Sequence, residues 1–223
     1  MLIYNRASHL AGPDDRILDI GAKGGTNIEN TEATVIAVDI EFSKPPTDDR
    51  TEYLLADGRR LPFDDHAFDY VVLNQVIEHV DGREPLFAEV RRVLKVGGTA
   101  LVSFPNRLTP NKPHGLPRVL SMLPKPFGLV IARHLLDEQQ YEYYQTALFP
   151  LSPVGARRAL QDHFDTVEYV TVNESARDPE LYGDRFAPRL FVSCLPLIVF
   201  LCRFTPIRLL FELVWGYVSY ECR

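Results

Sequence analysis

The chain has 223 residues, 46% of them hydrophobic and 24% charged, which excludes a disordered or fibrous protein and permits one sizeable core. The formal net charge of −6 provides no broad positive field for a nucleic-acid backbone, so no nucleic-acid partner is expected. We expect residues 1–223 to form a single domain.

The first 105 residues alternate between short apolar runs and segments of helical spacing. Residues 16–20 form an apolar run closed by glycines, which is typical of a buried parallel strand that leads into a turn. The helical spacing of the apolar residues in 84–94 predicts a helix there, ended by Gly97 and Gly98. Further strands are predicted at 34–38, 53–55, 68–73 and 99–104. Strands separated by helical stretches indicate an open parallel α/β sheet whose ligands lie at the carboxyl ends of its strands.

Proline and capping residues organise the second half of the chain. Six of the 17 prolines lie between residues 105 and 126, so the segment 106–128 is predicted to be an inserted loop with short helices. Ser152 and Pro153 form a typical N-cap and first-turn pair for a helix. Beyond this helix we expect a strand at 166–171, a helical, apolar, arginine-bearing insertion at 185–214 and a final strand at 217–222.

A glycine-rich turn and a later carboxylate indicate a nucleotide site. The turn LDIGAKGG, residues 18–25, follows the first predicted strand, and Asp39 lies 20 residues after Asp19. Glycines let the backbone approach a ligand, a helix N-terminus after the turn favours a negative group, and the carboxylate can accept hydrogen bonds from a ribose diol. Any nucleotide-binding sheet shares this pattern. An NAD-dependent oxidoreductase and a tight turn without a ligand therefore stay open at this point.

Two longer segments carry a family resemblance. LLADGRRLPFDDHAFDYVVLNQVIEHV, residues 54–80, and FAEVRRVLKVGGTALVSFPN, residues 87–106, resemble the class I S-adenosylmethionine-dependent methyltransferases (methyltransferase type 11), in the branch that includes ubiquinone-biosynthesis methyltransferases. The resemblance covers residues 17–106. It implies a Rossmann-like sheet, mostly parallel with an antiparallel final strand plus helical insertions, and S-adenosyl-L-methionine as the cofactor of a methyltransferase. It also makes 106–150 an insertion on the acceptor side.

The resemblance implies a set of cofactor-binding residues. Asp19 and Gly21 correspond to the methionine end of the site and Asp39 to the ribose ligand. Asp57 and Gly58 correspond to the adenine contact, although an Asp-Gly pair also forms ordinary turns. The full set is Asp19, Gly21, Lys23, Gly25, Asp39, Asp57, Gly58 and Asn74.

Lys23 departs from the family pattern, which usually has a third glycine at this position. A lysine side chain there must point away from the cofactor or touch its carboxylate. The sequence therefore leaves open how strongly the cofactor binds.

His79 is the candidate catalytic residue. Methyl transfer from a sulfonium mainly requires an acceptor held in line, with a base where the acceptor loses a proton. His79 lies in VIEHV, just past the fourth predicted strand, and its alternative role is that of a structural histidine at a helix end. Gln75, Glu78 and His79 also resemble the Glu, Glu, His metal-binding set of some quinone O-methyltransferases. Because Gln75 removes one carboxylate ligand, we predict no metal.

Two acid-free segments predict contact with an anionic membrane surface. Residues 106–136 and 185–214 combine large apolar side chains with basic residues and contain no acid before Glu212. Such segments can enter the headgroup region and receive a lipid-like acceptor there. The alternatives are that they pack on each other as a soluble lid or form a homodimer interface.

The most specific hypothesis is a methyltransferase that acts on oxygen of a small or amphiphilic, membrane-presented acceptor, such as a quinone precursor or a lipid-linked sugar. A non-catalytic cofactor-binding or adaptor protein and an NAD-dependent oxidoreductase are the alternatives. The three cysteines form no CxxC pair, and Asn5, Arg6 and His9 interrupt the apolar run that a signal peptide needs. These features favour a cytoplasmic protein, peripheral on the inner face of the membrane.

Overall fold

The structure is a computed structural model that describes residues 2–23, 25–41, 51–107, 116–171 and 217–223. The insertion predicted at 185–214 lies outside the described residues. The elements that the structure describes are α1 (Leu2–Leu10), β1 (Arg16–Ile20), β2 (Thr34–Asp39), β3 (Thr51–Leu55), β4 (Phe68–Asn74), α2 (Glu84–Val93), β5 (Leu94–Pro105), α3 (Arg118–Met122), α4 (Lys125–Leu135), α5 (Glu138–Thr146), α6 (Pro153–Gln161), β6 (Val167–Tyr169) and β7 (Tyr217–Cys222). The predicted strands, and the helices predicted at 84–94 and after Ser152, lie where the sequence placed them, to within about two residues at either end, with one exception. Strand β5 begins at Leu94, five residues before the strand predicted at 99–104.

The strands form one mixed sheet in the order β3-β2-β1-β4-β5-β7-β6. Strands β1 to β5 are parallel, whereas β7 is antiparallel to both of its neighbours, β5 and β6. The predicted Rossmann-like sheet with an antiparallel final strand is confirmed. Because β1, β2 and β4 end at the same edge, the turns that follow them meet there.

Helices cover the sheet on both faces because successive strand residues point in opposite directions. Leu18 belongs to the large core that includes Phe87 of α2 and Leu160 of α6. Its neighbour Ile17 belongs to the opposite core, to which α1 contributes Ile3, Tyr4 and Ala7. The first helix therefore packs directly behind the start of the glycine-rich turn.

The glycine-rich turn is not followed by the predicted helix. Residues 25–33 contain no helix, and Asn30 has a φ of 55°. The hydroxyls of Thr26 and Thr31 each accept a backbone N–H from two residues further on, at 3.1 Å. Such local side-chain bonds compete with helix formation. The expectation of a helix N-terminus at this turn is wrong, and no helix dipole supports a ligand there.

Gly97 and Gly98 do not end α2. The helix ends at Val93 and β5 begins at the next residue, so both glycines lie inside the strand. The register between β4 and β5 shifts here, which marks a bulge. Gly97 has a φ of 79°, and a Cβ on Gly98 would lie 3.0 Å from the backbone oxygen of Asp69. The two glycines are needed by the bulge rather than by the helix end.

Helices α3, α4 and α5 form a small helical unit, called the cap below, that extends to residue 149. The cap has its own core of Leu116, Leu120, Ala132, Tyr144 and Leu148. The Tyr144 hydroxyl donates to the Leu120 carbonyl at 2.8 Å and occupies the space beside Gly128, where a Cβ would lie 2.1 Å from it. The predicted short helices are confirmed, although α4 continues beyond the expected segment.

The cap exposes several large apolar side chains to solvent, namely Val119, Met122, Phe127, Val130 and Leu135. In the parts of the chain that the structure describes, no helix is long and apolar enough to cross a membrane.

Candidate active site

A cavity of about 520 Å³ lies where the turns after β1, β2 and β3 meet the loop that follows β4. Thr146 and Phe149 of the cap form another part of its wall. Of the residues singled out from the sequence, the cavity is lined by Gly21, Lys23, Asp39, Asp57, Gly58 and His79. Asp19, Gly25 and Asn74 are not among its lining residues.

Two tight backbone turns form the floor of the cavity. Gly21 has a φ of 85°, and its N–H donates to the Val38 carbonyl at 2.8 Å. A Cβ at Gly21 would lie 2.3 Å from Cγ2 of Val76, so only glycine fits beneath that side chain. Gln75 also has a positive φ, 58°, and donates its N–H to the Ser103 carbonyl at 2.7 Å. Strained non-glycine residues of this kind are concentrated at functional sites.

Asp39 marks the second wall of the cavity, at the end of β2. Its Oδ1 accepts the backbone N–H of Glu41 at 3.0 Å, which fixes the turn. Ile40 lies between them and is 75% exposed although it is apolar. An exposed apolar side chain beside a carboxylate offers a face for a planar ring. The sequence reasoning missed Ile40, whose position directly after the acidic residue was the available signal.

Lys23 lines the same cavity near Asp39. Its Nζ lies 3.3 Å from Oε2 of Glu41, and both side chains are exposed. The lysine therefore forms part of the rim of the cavity.

Asp57 is already hydrogen-bonded by its neighbour Arg59. Its Oδ1 accepts the Arg59 backbone N–H at 2.9 Å and Nε at 3.0 Å, and its Oδ2 accepts a terminal guanidinium nitrogen at 2.7 Å. This pairing lowers the pKa of Asp57. A ligand amino group can bind Asp57 only by sharing or displacing Arg59, a residue that the sequence reasoning missed. Gly58 packs tightly beneath this turn, since a Cβ there would lie 2.9 Å from Leu86 Cδ1.

Asp19 lies outside the cavity, on the α1 side of β1. It is fully buried, and neither carboxylate oxygen accepts a hydrogen bond of ordinary geometry from the residues that the structure describes. Burial raises its pKa to about 7, against the lowering effect of the Thr26 and Tyr4 hydroxyls. Burial and the charge of Asp19 in turn raise the pKa of Tyr4, whereas its interaction with Asn74 lowers it. These polar groups form a buried layer behind the glycine turn.

Gly25 completes the turn at some distance from the cavity. It has a φ of 100°, and a Cβ there would lie 3.6 Å from the hydroxyl of Tyr53. Its role is conformational, because a side chain at this φ is strained whatever space surrounds it.

His79 joins the loop after β4 to the cap. Its Nδ1 lies 2.7 Å from the carbonyl oxygen of Ala147. Because a carbonyl oxygen can only accept, Nδ1 carries the hydrogen in the neutral ring and Nε2 is the nitrogen that can take up a proton. The His79 ring also lies 6.3 Å from that of Tyr143, measured between centroids.

Glu78 is the second buried acid near the site. Both of its carboxylate oxygens are buried without a hydrogen bond among the described residues. Burial raises its pKa to about 8, and the Arg83 guanidinium opposes this rise. Its backbone carbonyl accepts the Phe149 N–H at 2.6 Å. Glu78 and His79 are thus both fastened to the end of the cap.

The arrangement of Gln75, Glu78 and His79 does not gather ligands for a metal ion. Glu78 is buried away from the lining of the cavity, whereas Gln75 and His79 line it. Across the described ranges, no group of three or more His, Cys, Asp or Glu side chains is placed to hold a metal.

Comparison with known proteins finds methyltransferase relatives for part of the chain. Residues 18–102 match the model of a family described as a methyltransferase domain. A 27-O-demethylrifamycin SV methyltransferase from Amycolatopsis mediterranei is 31% identical over 153 residues, which cover 62% of this chain and 55% of that protein. A demethylmenaquinone methyltransferase from Clavibacter sepedonicus is 34% identical over 98 residues, 40% of each chain. The chain spans about half or less of the length of the curated relatives it matches.

Solved structures share the fold of the chain. A geranyl diphosphate C-methyltransferase from Streptomyces coelicolor A3(2), crystallised with Mg²⁺, geranyl diphosphate and S-adenosyl-L-homocysteine, superposes with a TM-score of 0.53 at 19% identity. The match covers 95% of this chain and 71% of that chain. At this identity the likeness establishes the fold.

Proposed function

We propose that this chain, which carries a class I S-adenosylmethionine-dependent methyltransferase domain, binds S-adenosyl-L-methionine in the 520 Å³ cavity and transfers its methyl group to a small or amphiphilic acceptor. The observation that carries the proposal is the convergence of the turns after β1, β2 and β3 with His79 on one cavity. The comparison supports the family, and the activity is our inference from the site.

The lining of the cavity fits this cofactor along its length. We assign the ribose diol to the Asp39 carboxylate and one face of the adenine to Ile40, both of which line the cavity. We assign the adenine edge to Asp57 and Gly58, with Arg59 giving up part of its bond to Asp57. A charge-assisted bond of this kind contributes about 1.5–3 kcal/mol.

The methionine end is assigned to the glycine turn. Gly21 admits the close approach of the ligand, and the Lys23 ammonium at the rim can pair with the ligand carboxylate. Asp19, Gly25 and Asn74 are assigned to the layer that holds the turn in shape. A structural role suits Asp19, because a pKa of about 7 leaves its carboxyl partly protonated at neutral pH.

The chemistry asks little of the protein beyond positioning. Bound S-adenosylmethionine supplies an electrophilic methyl group on a sulfonium, which needs only an acceptor atom in line with it. We assign His79 as the base that takes the acceptor proton through Nε2, since Nδ1 donates to Ala147. An acceptor hydroxyl loses such a proton, and the relative named 27-O-demethylrifamycin SV methyltransferase supports oxygen as the methylated atom.

The acceptor side of the cavity is largely apolar. Val76, Val80, Leu86 and Phe149 line the cavity together with His79, and Gln75, Asp81 and Thr146 add polar groups. Apolar walls with a few polar groups are typical of sites that bind small molecules. We therefore propose an acceptor with an apolar body and one reactive hydroxyl, a description that suits a quinone precursor or a lipid-linked sugar.

The exposed apolar face of the cap supports acceptor delivery from an anionic membrane. Phe127 and Val130 are 67% and 65% exposed on α4, and Arg133 lies on the same exposed side. Co-sedimentation with phosphatidylglycerol vesicles tests this, and we expect binding that weakens in salt and in a Phe127→Ser, Val130→Ser double variant. Val154→Ser, at an exposed apolar position on α6, is the matched control. The homodimer interface is favoured instead if the wild-type protein does not pellet with the vesicles and, without vesicles, has the sedimentation coefficient of a dimer.

We also propose that the chain works as one domain. Strand β7 pairs with β5 and β6, and Arg6 of α1 donates from Nε to Glu221 of β7 at 2.8 Å. Contacts between such distant parts of the sequence support a single folding unit.

Calorimetry with S-adenosylhomocysteine and with NAD tests the cofactor assignment. We expect the purified protein to bind S-adenosylhomocysteine and not NAD. Tighter binding of NAD would overturn the proposal in favour of an oxidoreductase. To separate an enzyme from a non-catalytic adaptor, methyl-labelled S-adenosylmethionine is incubated with the protein and a cell-lipid extract. Label should enter the organic phase with wild type and fall with His79→Ala.

A further inference from the structure

We infer that Lys125 is a positioning residue that sets the orientation of His79 by fastening the end of the cap. The inference rests on the proposed function, in which His79 is the base. Lys125 is the first residue of α4 and does not line the cavity.

The ammonium of Lys125 bridges the chain on both sides of Ala147. Its Nζ donates to the carbonyl oxygens of Tyr144 and Leu148. Ala147 lies between these two residues, and its own carbonyl accepts the hydrogen of His79 Nδ1. Fixing the carbonyls before and after Ala147 restricts the rotation of the peptide group that holds His79.

Two aromatic rings add to the hold of Lys125 on this segment. Nζ lies 4.7 Å from the ring centroid of Tyr144 and 4.5 Å from that of Phe149. Aromatic faces attract a cation, more strongly where water is excluded. Phe149 is also a wall residue of the cavity, so the same ammonium positions the base and part of the acceptor pocket.

The end of α5 needs such a partner. Helix α5 runs from Glu138 to Thr146 and has no basic residue in its last turn. The last four carbonyls of a helix have no partner within the helix and favour a cation. Lys125 provides that cation from the neighbouring helix, so the packing of α4 on α5 is coupled to the orientation of His79.

The test compares Lys125→Met, which keeps the length of the side chain and removes its charge, with Arg133→Met, an exposed position on the same helix. The first readout is the tautomer of His79 from its ring ¹⁵N shifts, assigned with His79→Gln. Wild type and Arg133→Met should show the single tautomer with hydrogen on Nδ1. Lys125→Met should show both tautomers, and Lys125→Arg should restore the single one.

Hydrogen exchange at the Phe149 amide gives a second readout that needs no substrate. This N–H donates to the Glu78 carbonyl, so we expect about tenfold faster exchange in Lys125→Met, while the Leu101 amide in the sheet is unchanged. Labelled-methyl transfer should fall about tenfold, with the affinity for S-adenosylhomocysteine unchanged.

A single His79 tautomer and normal Phe149 exchange in Lys125→Met would overturn the inference. Lys125→Met could loosen the whole cap, and Lys125→Arg covers that case because it keeps the positive charge. If Lys125→Arg has a folded cap and His79 still shows both tautomers, the inference is also overturned. Failure of the wild type to bind S-adenosylhomocysteine overturns the proposed function alone, since the tautomer readout does not depend on the cofactor.

Discussion

The sheet and the cap hold their parts of the site by different means. In the sheet, Asp39 and Gly21 are placed by backbone pairing between strands, such as the bond from Gly21 N–H to the Val38 carbonyl. In the cap, the segment that carries the cavity wall is held by contacts of one long side chain, Lys125, whose Nζ donates to the Tyr144 and Leu148 carbonyls. The difference indicates that the sheet half, to which we assign the cofactor, tolerates surface change, whereas the cap half, to which we assign the acceptor, depends on a few individual contacts.

The junction of the two regions should give the largest effect. Glu78 has a pKa of about 8 in the fold against an ordinary 4.5, because burial disfavours its charged form. Between these pH values the unfolded chain loses the proton while the folded chain keeps it, so this group destabilises the fold increasingly as the pH rises toward 8. Glu78→Gln has no carboxyl group to titrate, so its free energy of unfolding does not decrease in this way.

Denaturant unfolding of Glu78→Gln and wild type from pH 5 to 9 measures the effect. The free energy of unfolding of the variant, relative to wild type, should rise by roughly 2–4 kcal/mol up to about pH 8 and then level off. A difference that does not change with pH would mean that Glu78 is ionised in the fold.

His79→Ala tests whether the cap-bound side of the loop carries the chemistry. Turnover should fall about a hundredfold, because the acceptor proton loses its base, while the affinity for S-adenosylhomocysteine stays within about twofold. Labelled-methyl transfer and calorimetry on the same samples check the two expectations, with the exposed His134→Ala as control. Equal loss of turnover and affinity would make His79 a structural residue of the sheet half.

Gly21→Ala tests the backbone side of the comparison. The new Cβ would lie 2.3 Å from Val76 Cγ2 at a φ of 85°, so the free energy of unfolding should fall by about 1–3 kcal/mol. Gly82→Ala is the matched control, because Gly82 has a φ of 63° with nothing within 4 Å of an added Cβ. Chemical denaturation of both variants separates the effect of steric overlap with Val76 from that of backbone strain. Equal decreases in the free energy of unfolding would show that the overlap contributes nothing.

Asp39→Ala should give the smallest effect, confined to the sheet half. Loss of the assigned ribose contact should lower the affinity for S-adenosylhomocysteine, measured by calorimetry, at least about tenfold. His79 should keep its single tautomer. The exposed Asp64→Ala serves as control. Unchanged affinity in Asp39→Ala would remove this residue from the assigned cofactor site.

The sequence predicted the sheet half more fully than the cap half, for physical reasons. Buried strands such as 16–20 and 34–38 have continuous apolar runs, and the motifs around Asp57 and His79 follow the next two strands, β3 and β4. The helix expected after the glycine turn failed because the Thr26 hydroxyl binds the local backbone. The pairing of Arg59 with Asp57, and the hold of Lys125 on the α5 end, depend on side-chain geometry that has no periodic signature.

The pairing of β5 with β7 has a consequence for synthesis on the ribosome. Ser103 and Ser219 face each other across this pair, hydroxyl to hydroxyl at 3.2 Å, and are separated by 116 residues. At about 5–20 residues per second, β5 waits roughly 6–23 s for its neighbour after it is made. During that interval the edge of β5 presents unpaired backbone groups that can pair with other chains. We therefore expect aggregation of nascent chains, more than of the folded protein, to limit the yield of this protein.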